Sequence, residues 1–357
     1  MKRLTILTVA VLLAALAGSA SAEHSTWGLV QTWYSYTTFD STEAGYADAD
    51  VATQTGFGLR RARFAWKYSD DMYFGGIQTE GAGGSIIILD AFVGINFNEQ
   101  FTMRLGRFPG VGSQAGGFTS SAKLDMIERP IVPMRWAAAT GRQHYRAVGA
   151  ELAMKPNDMF KAMILLHNGT SDLGEDLAPS INAHLTDSTV VDTQFLPQID
   201  LGIWVEPMEG LEAGATFGLP NEYRITTGNL TAFLYYFHEM GFAKVDFAML
   251  MHNPVWDDDD LDYTSMGYAL TAGYNVKPCL QIVGRFENWD DDTDLDSDDG
   301  DYMHRNISLG VNYSLLEGAK YDHRFQAVFA RRLDETPDDV ELTDPNMFQL
   351  CYQLWFH

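Results

Sequence analysis

FTMRLGRFPG, Phe101 to Gly110, decides how the whole chain is read. Phe101, Met103 and Leu105 fall on one face of an extended segment, and Thr102, Arg104 and Gly106 on the other. A period of two is the mark of a strand whose faces meet different media. The arginine decides which media they are. If the apolar row meets lipid, Arg104 belongs to a wet interior that tolerates charge. Pro109-Gly110 then ends the strand and launches a connection of some 35 residues, expected over 109–143. That is far beyond the usual 4–6.

The segment before it obeys the same parity. In FGLRRARFAWKY, residues 57–68, the positions Ala62, Phe64, Trp66 and Tyr68 are expected to face outward, and Arg61, Arg63 and Lys67 inward. Similar alternating runs recur along the chain. They predict about sixteen strands, over 26–36, 56–68, 72–80, 86–97, 100–108, 144–154, 159–167, 198–206, 211–219, 230–237, 241–251, 263–275, 278–287, 302–313, 321–332 and 347–356. The connections between them alternate between short turns, such as SDD at 69–71, and long loops. Loop lengths that sort by end, an even strand count and backbone groups that must all be paired in lipid predict a transmembrane antiparallel β-barrel.

The ends of the chain agree. MKRLTILTVAVLLAALAGSASA reads as a signal peptide over 1–22, leaving 23–357 as the barrel. In MFQLCYQLWFH the residues Phe348, Leu350, Tyr352, Leu354 and Phe356 share one face, resembling the terminal strand that barrel-assembly machinery reads. Outside the leader no apolar run is long enough for a membrane helix. Two widely separated cysteines, Cys279 and Cys351, exclude a disulfide framework.

The formal charge of −24 makes nucleic acid an improbable partner. Much of the acid is concentrated in expected long loops, as in WDDDTDLDSDDGD at 289–301. Asp292, Asp294, Asp296 and Asp298 alternate like calcium ligands, but Asp299 stands before Gly300 and Arg305 occupies the twelfth position from Asp294, so an EF-hand is rejected. A solvated acidic loop is the simpler reading, with loose Ca²⁺ or Mg²⁺ binding the second; no resident cofactor is expected.

The runs RRARFAWKYSDDMYFGGIQTE, LDAFVGINFNEQFTMRLGRFPG, LDMIERP and GRQHYRAVGAEL, spanning 60–152, together resemble the N-terminal half of the phosphate-selective porin O/P family of Gram-negative outer membranes. The resemblance implies a sixteen-strand barrel, usually trimeric, set in outer-membrane lipid and lipopolysaccharide. It also implies a third external loop folded into the lumen and a path for anions formed by arginines and lysines. By position Arg60 and Arg61 match that family's paired arginines, and Asp90 the acid of its fourth strand.

The expected constriction set is Arg60, Arg61, Arg63, Asp90 and Arg104 from the wall, with Lys123, Asp125, Glu128, Arg129 and Arg135 from the long loop. Further inward charges are expected at Lys244, Arg285, Arg324, Asp200, Glu212 and Asp246. For Arg60, Arg107 and Arg305, side chains snorkelling to the interface are the simpler reading. A passive diffusion channel is the leading function. A surface adhesin or cation-collecting protein built on the acidic loops is the alternative. A barrel enzyme follows behind, since His144, His238, His252 and His304 sit in no catalytic motif.

Overall fold

The computed structural model describes residues 23–39, 52–168, 198–219, 226–252, 262–295, 303–316, 320–333 and 346–357. The signal peptide expected over 1–22 lies outside them, as do Asp296, Asp298 and most of the long connections other than the third.

Sixteen strands form one closed antiparallel barrel. They are β1 (Glu23–Phe39), β2 (Ala52–Ser69), β3 (Tyr73–Glu80), β4 (Ile87–Asn96), β5 (Phe101–Phe108), β6 (Ala147–Asn157), β7 (Phe160–His167) and β8 (Gln198–Met208). Then follow β9 (Leu211–Gly218), β10 (Thr226–His238), β11 (Gly241–His252), β12 (Tyr263–Lys277), β13 (Leu280–Asp290), β14 (Met303–Ser314), β15 (His323–Arg332) and β16 (Asn346–Phe356). Each pairs with its successor, and β16 closes on β1 from Gly28↔Phe356 to Thr37↔Met347. Closure leaves no open edge, so the ladder can cross hydrocarbon. No helix among the described residues is long and apolar enough to do so.

The two faces are inverted relative to a soluble sandwich. Along β12 the small residues Ser265, Ala269 and Thr271 are buried inside, while Met266, Tyr268 and Leu270 are exposed outside. Ile282, Leu309, Phe329 and Leu350 continue the outer apolar belt. Phe64 is 54% exposed, and Trp66, Phe101 and Leu354 are half-buried against their outer neighbours. Tyr68 departs from its row: it is buried, and its hydroxyl donates to Asp70 at 2.5 Å.

The short turns are built by side chains that satisfy backbone donors. Asp70 Oδ1 accepts from the backbone N–H groups of Met72 and Tyr73 at 2.8 and 2.6 Å, and Asn98 Oδ1 from those of Gln100 and Phe101 at 2.9 Å. Asx turns of this kind replace the ladder bonds that a two- to four-residue connection cannot make.

Two irregularities matter for the interior. A bulge at Gln31/Thr32 leaves Arg60 as the extra residue of β2, between Arg61 and Leu59 in the register. Gly106 takes φ +127°, a region open to glycine, and an added Cβ would strike the Ala91 carbonyl of β4. β6 starts at Ala147 rather than the expected 144, because His144 and Tyr145 adopt positive φ in a turn.

Candidate functional site

Residues 109–146, between β5 and β6, run through the barrel interior instead of over its rim. They contain short turns at Gln114–Phe118 and Ser121–Lys123 and one helix, α1 (Ile131–Ala139), which follows Pro130. Hydrogen bonds fix the route. Gln353 on β16 and Arg324 on β15 donate to the Ala122 carbonyl at 2.9 and 3.2 Å, and Asn312 on β14 donates to the Asp125 carbonyl at 2.8 Å. Further along, the Ile131 N–H donates to Glu287 on β13 at 2.5 Å and Trp136 Nε1 to Asn229 on β10 at 2.9 Å. Only a segment crossing the lumen meets all these strands.

Three apolar seats hold it. Phe108, Val111 and Ala147 pack on Met163 and Leu165 of β7 near the launch point. Met126 and Ile127, 1% and 0% exposed, sit on Phe242, Val283, Val328 and Cys351 of the far wall. Val132, Trp136 and Ala137 of α1 press against Ala248, Leu250, Ala269 and Trp289.

The β1–β5 wall holds the same segment by charge. Glu128 lies in the fork of Arg60, with Arg60 Nη2 donating to Oε2 at 2.6 Å, and Arg61 Nη2 is 3.6 Å from the same oxygen. The expected snorkelling of Arg60 is therefore corrected: the bulge turns it toward the lumen, where Glu128 and the Trp33 ring at 5.4 Å receive it. Arg305 stays at the end of its strand, donating to Asn288 Oδ1 at 3.2 Å. Arg63 pairs with Glu80 at 2.6 Å and donates to Ser121 Oγ at 2.7 Å. Asp90 pairs with Arg146 at 2.9 Å. Arg104 pairs with Glu151 at 2.7 Å, donates to the Pro109 carbonyl at 2.8 Å and stacks on Phe108 at 4.1 Å.

The remaining expected residues are spread more widely. Asp125 pairs with Lys244 at 2.7 Å, Arg135 with Asp291 at 3.4 Å near the long-loop end of β13, and Lys123 lies over the Trp355 ring at 5.9 Å. Asp292 Oδ1 accepts the Asp294 N–H at 3.0 Å, and no metal-ligating cluster occurs among the described residues. Arg129 is buried with no carboxylate bound: one nitrogen donates to the Thr119 carbonyl at 2.8 Å, the guanidinium lies over Tyr145 at 4.9 Å, and Nη1 has no partner. Burial pushes this guanidinium down to about 9, with Arg61, Arg63 and Arg146 acting in the same sense.

Three participants escaped the sequence reading. Arg146, Glu151 and His167 were not singled out, yet Arg146 and Glu151 hold Asp90 and Arg104, and His167 joins Arg142 and Asp200 in a buried cluster. A strand drawn from 144 puts Arg146 on the outward row with Val148. Only the turn at His144-Tyr145 frees it to point inward.

No family model matches the chain, so its resemblance over 60–152 stands on those residues alone, and no curated protein matches it in sequence. Solved structures share the barrel. An anion-selective porin from Comamonas acidovorans superposes with a TM-score of 0.67 at 14% identity, covering 94% of this chain and 100% of the other. The outer membrane channel DcaP of Acinetobacter baumannii gives 0.63 at 12%, over 95% and 99%. The trimer form of OmpT, an outer membrane protein of Vibrio cholerae, gives 0.61 at 11%, over 94% and 100%. At such identities the likeness establishes the fold: a sixteen-strand barrel of the kind seen in outer-membrane porins.

Proposed function

We propose that this protein is an outer-membrane porin of a Gram-negative bacterium, a passive channel for small hydrophilic solutes. One observation carries the reading: a closed barrel with an apolar outer belt encloses a charged interior that its own third long connection narrows. The wall charges and the width left beside residues 109–146 decide which solute crosses; no bond is made or broken.

Mild anion preference is part of the proposal. Five guanidiniums, of Arg60, Arg61, Arg63, Arg129 and Arg146, meet three carboxylates, of Glu80, Asp90 and Glu128, so the passage carries a positive surplus. The barrel matched in Comamonas acidovorans is described as anion-selective, which supports the sign. Strict phosphate selectivity finds less support, because all but one of these guanidiniums lie against carboxylates of the protein itself.

A homotrimer is proposed from the family resemblance, the trimer form of the Vibrio cholerae barrel and an apolar groove of about 630 Å³ on the outer face of β1, β2 and β14–β16. The test is the purified protein in planar bilayers under a salt gradient. Stepwise conductance with a reversal potential on the anion side supports the reading. A folded barrel that passes no current overturns it.

A further inference from the structure

Free space beside residues 109–146 opens along the β1–β4 wall. On the far wall Met126 and Ile127 are buried, at 1% and 0% exposure, against Phe242, Val283 and Val328. Among the described residues, two cavities open on the β1–β4 wall. One, of about 430 Å³, opens at the long-loop end beside Arg60, Ser85, Glu128 and His144. The other, of about 450 Å³, opens at the short-turn end beside Ser25, Lys67, Phe92 and Arg104.

Both lie against the same four strands. Arg63 borders the first and Lys67 the second, and these residues are four apart on β2, a separation of roughly 13 Å along a strand. The Arg63–Glu80 pair, at 2.6 Å, floors the first cavity, and Ala65 and Gln78 of the wall with the Arg146–Asp90 pair, at 2.9 Å, follow toward the second.

We infer that the solute route is eccentric, descending the β1–β4 wall from one cavity to the other, and that Glu80 and Asp90 are its selectivity-determining residues. This rests on the channel reading above and adds where the channel runs and what tunes it. The carboxylates act by occupation. Each holds a guanidinium that an incoming anion needs, and in a narrow, poorly hydrated passage a neutralised cation attracts far less than a bare one. An anion crosses by displacing Glu80 from Arg63 and then Asp90 from Arg146; a cation meets only the residual surplus of positive charge.

The geometry makes the charge separable from the fold. Glu80 Oε1 also accepts from the Ala62 and Ala82 N–H groups at 2.7 and 3.2 Å, and glutamine keeps such an oxygen while losing the charge. Glu80→Gln and Asp90→Asn should each raise the anion-to-cation permeability ratio ~threefold or more in planar bilayers. Glu212→Gln, removing a carboxylate on β9 across the barrel, should leave it unchanged. Unmoved ratios in the first two variants, or an equal shift in the third, would overturn the assignment.

A second arm tests the route without touching the charges. Exposed Ser85 and Ser25 line the two cavities, and modification of Ser85→Cys and Ser25→Cys by a bulky methanethiosulfonate should each cut the current at least by half, against a wild type that keeps its native cysteines. Full current after complete modification places the route elsewhere. Wild-type barrels that fold but never conduct sink the channel reading itself, a result distinct from a conducting channel indifferent to these residues.

Discussion

The two halves of the inner wall grip the same segment by different chemistry. Around β10–β16 the grip is mostly apolar, with Ile127 and Trp136 sealed into the wall beside the Asp125–Lys244 ion pair. An amide chain adds to it, from Gln31 through Gln353 and from Gln326 through Asn312 to Gln281. Around β1–β5 it is ionic and polar, through Glu128 on Arg60, Asp90 on Arg146, and the Arg63 and Arg104 guanidiniums that donate to Ser121 and to the Pro109 carbonyl. Apolar contact excludes water and fills space, while ion pairs need room and hydration at their edges. The two cavities beside Arg60 and beside Lys67 lie on the ionic side. The barrel thus seals the crossing segment against one wall and tethers it to the other by charge, where room for passage remains.

The sharpest way to break this comparison is to cut the apolar grip. Trp136 is 1% exposed, packs on Ala248, Leu250, Ala269 and Trp289, and donates to Asn229. Trp136→Ala should cost about 3–5 kcal/mol, the range for burying a cavity in place of an aromatic ring. It should also produce larger, noisier conductance as α1 loosens. Urea titration of the folded barrel and single-channel recording check both, and a quiet channel of wild-type conductance would show that α1 is not held by this seat.

Next in size is the buried cluster at the end of the crossing segment. Arg142 donates to Asp200 and to the Val111 carbonyl, lies 4.8 Å from the Trp136 ring, and shares Asp200 with His167 at 3.0 Å. Removing one partner of a buried pair strands the other, at roughly 3 kcal/mol or more. Asp200→Ala should therefore approach the tryptophan variant in stability loss. Replacement of Arg142 and Asp200 together by apolar residues should recover part of it, measured in the same titration.

How much of this was legible in the sequence depends on range. Strand parity is local, so the alternation in Phe101 to Leu105 or in Phe348 to Phe356 sufficed to place sixteen strands within a few residues. The site is assembled from pairs such as Arg60 with Glu128 and Lys244 with Asp125, 68 and 119 residues apart, whose choice depends on the path of the crossing segment. Glu128 and Asp125 could be named as loop acids; which cation each would hold could not. Arg60 was read both as a constriction residue and as an arginine snorkelling to the interface, and the bulge that decides between the two has no reliable signature in a run of arginines.

A smaller effect is expected on the ionic side, where the outcome is selectivity more than stability. Replacing Arg61, Arg63 and Arg104 together by alanine should shift the channel from anion toward cation preference, since three cations are lost and Glu80 and Glu151 keep their charge without their guanidinium partners. The barrel should still form, because the apolar seats and the strand ladder are intact. A reversal potential equal to that of the wild type would move the selectivity filter off the β1–β5 wall.

The smallest effect separates Arg104 from the other two. It lies beside the cavity at the short-turn end, beyond the barrier of Arg63–Glu80 and Arg146–Asp90, and its charge is already matched by Glu151. Arg104→Ala alone strips one cation beside the short-turn cavity, outside the layer of the two ion pairs, and leaves Glu151, 3% exposed, held in the wall rather than presented to the passage. The same carboxylate still stands within electrostatic reach of Lys161, which limits the change further. The reversal potential should therefore move only slightly, and less than with Arg63→Ala, whose loss frees Glu80 inside the narrow layer. The Pro109 carbonyl and the face of Phe108 lose their contact with the guanidinium, so a small rise in current noise from the launch of the crossing segment is expected beside it. If Arg104→Ala instead shifted selectivity as far as Arg63→Ala, the narrowest point would lie at the short-turn end, and the ionic wall would be a filter along its whole length rather than at one layer.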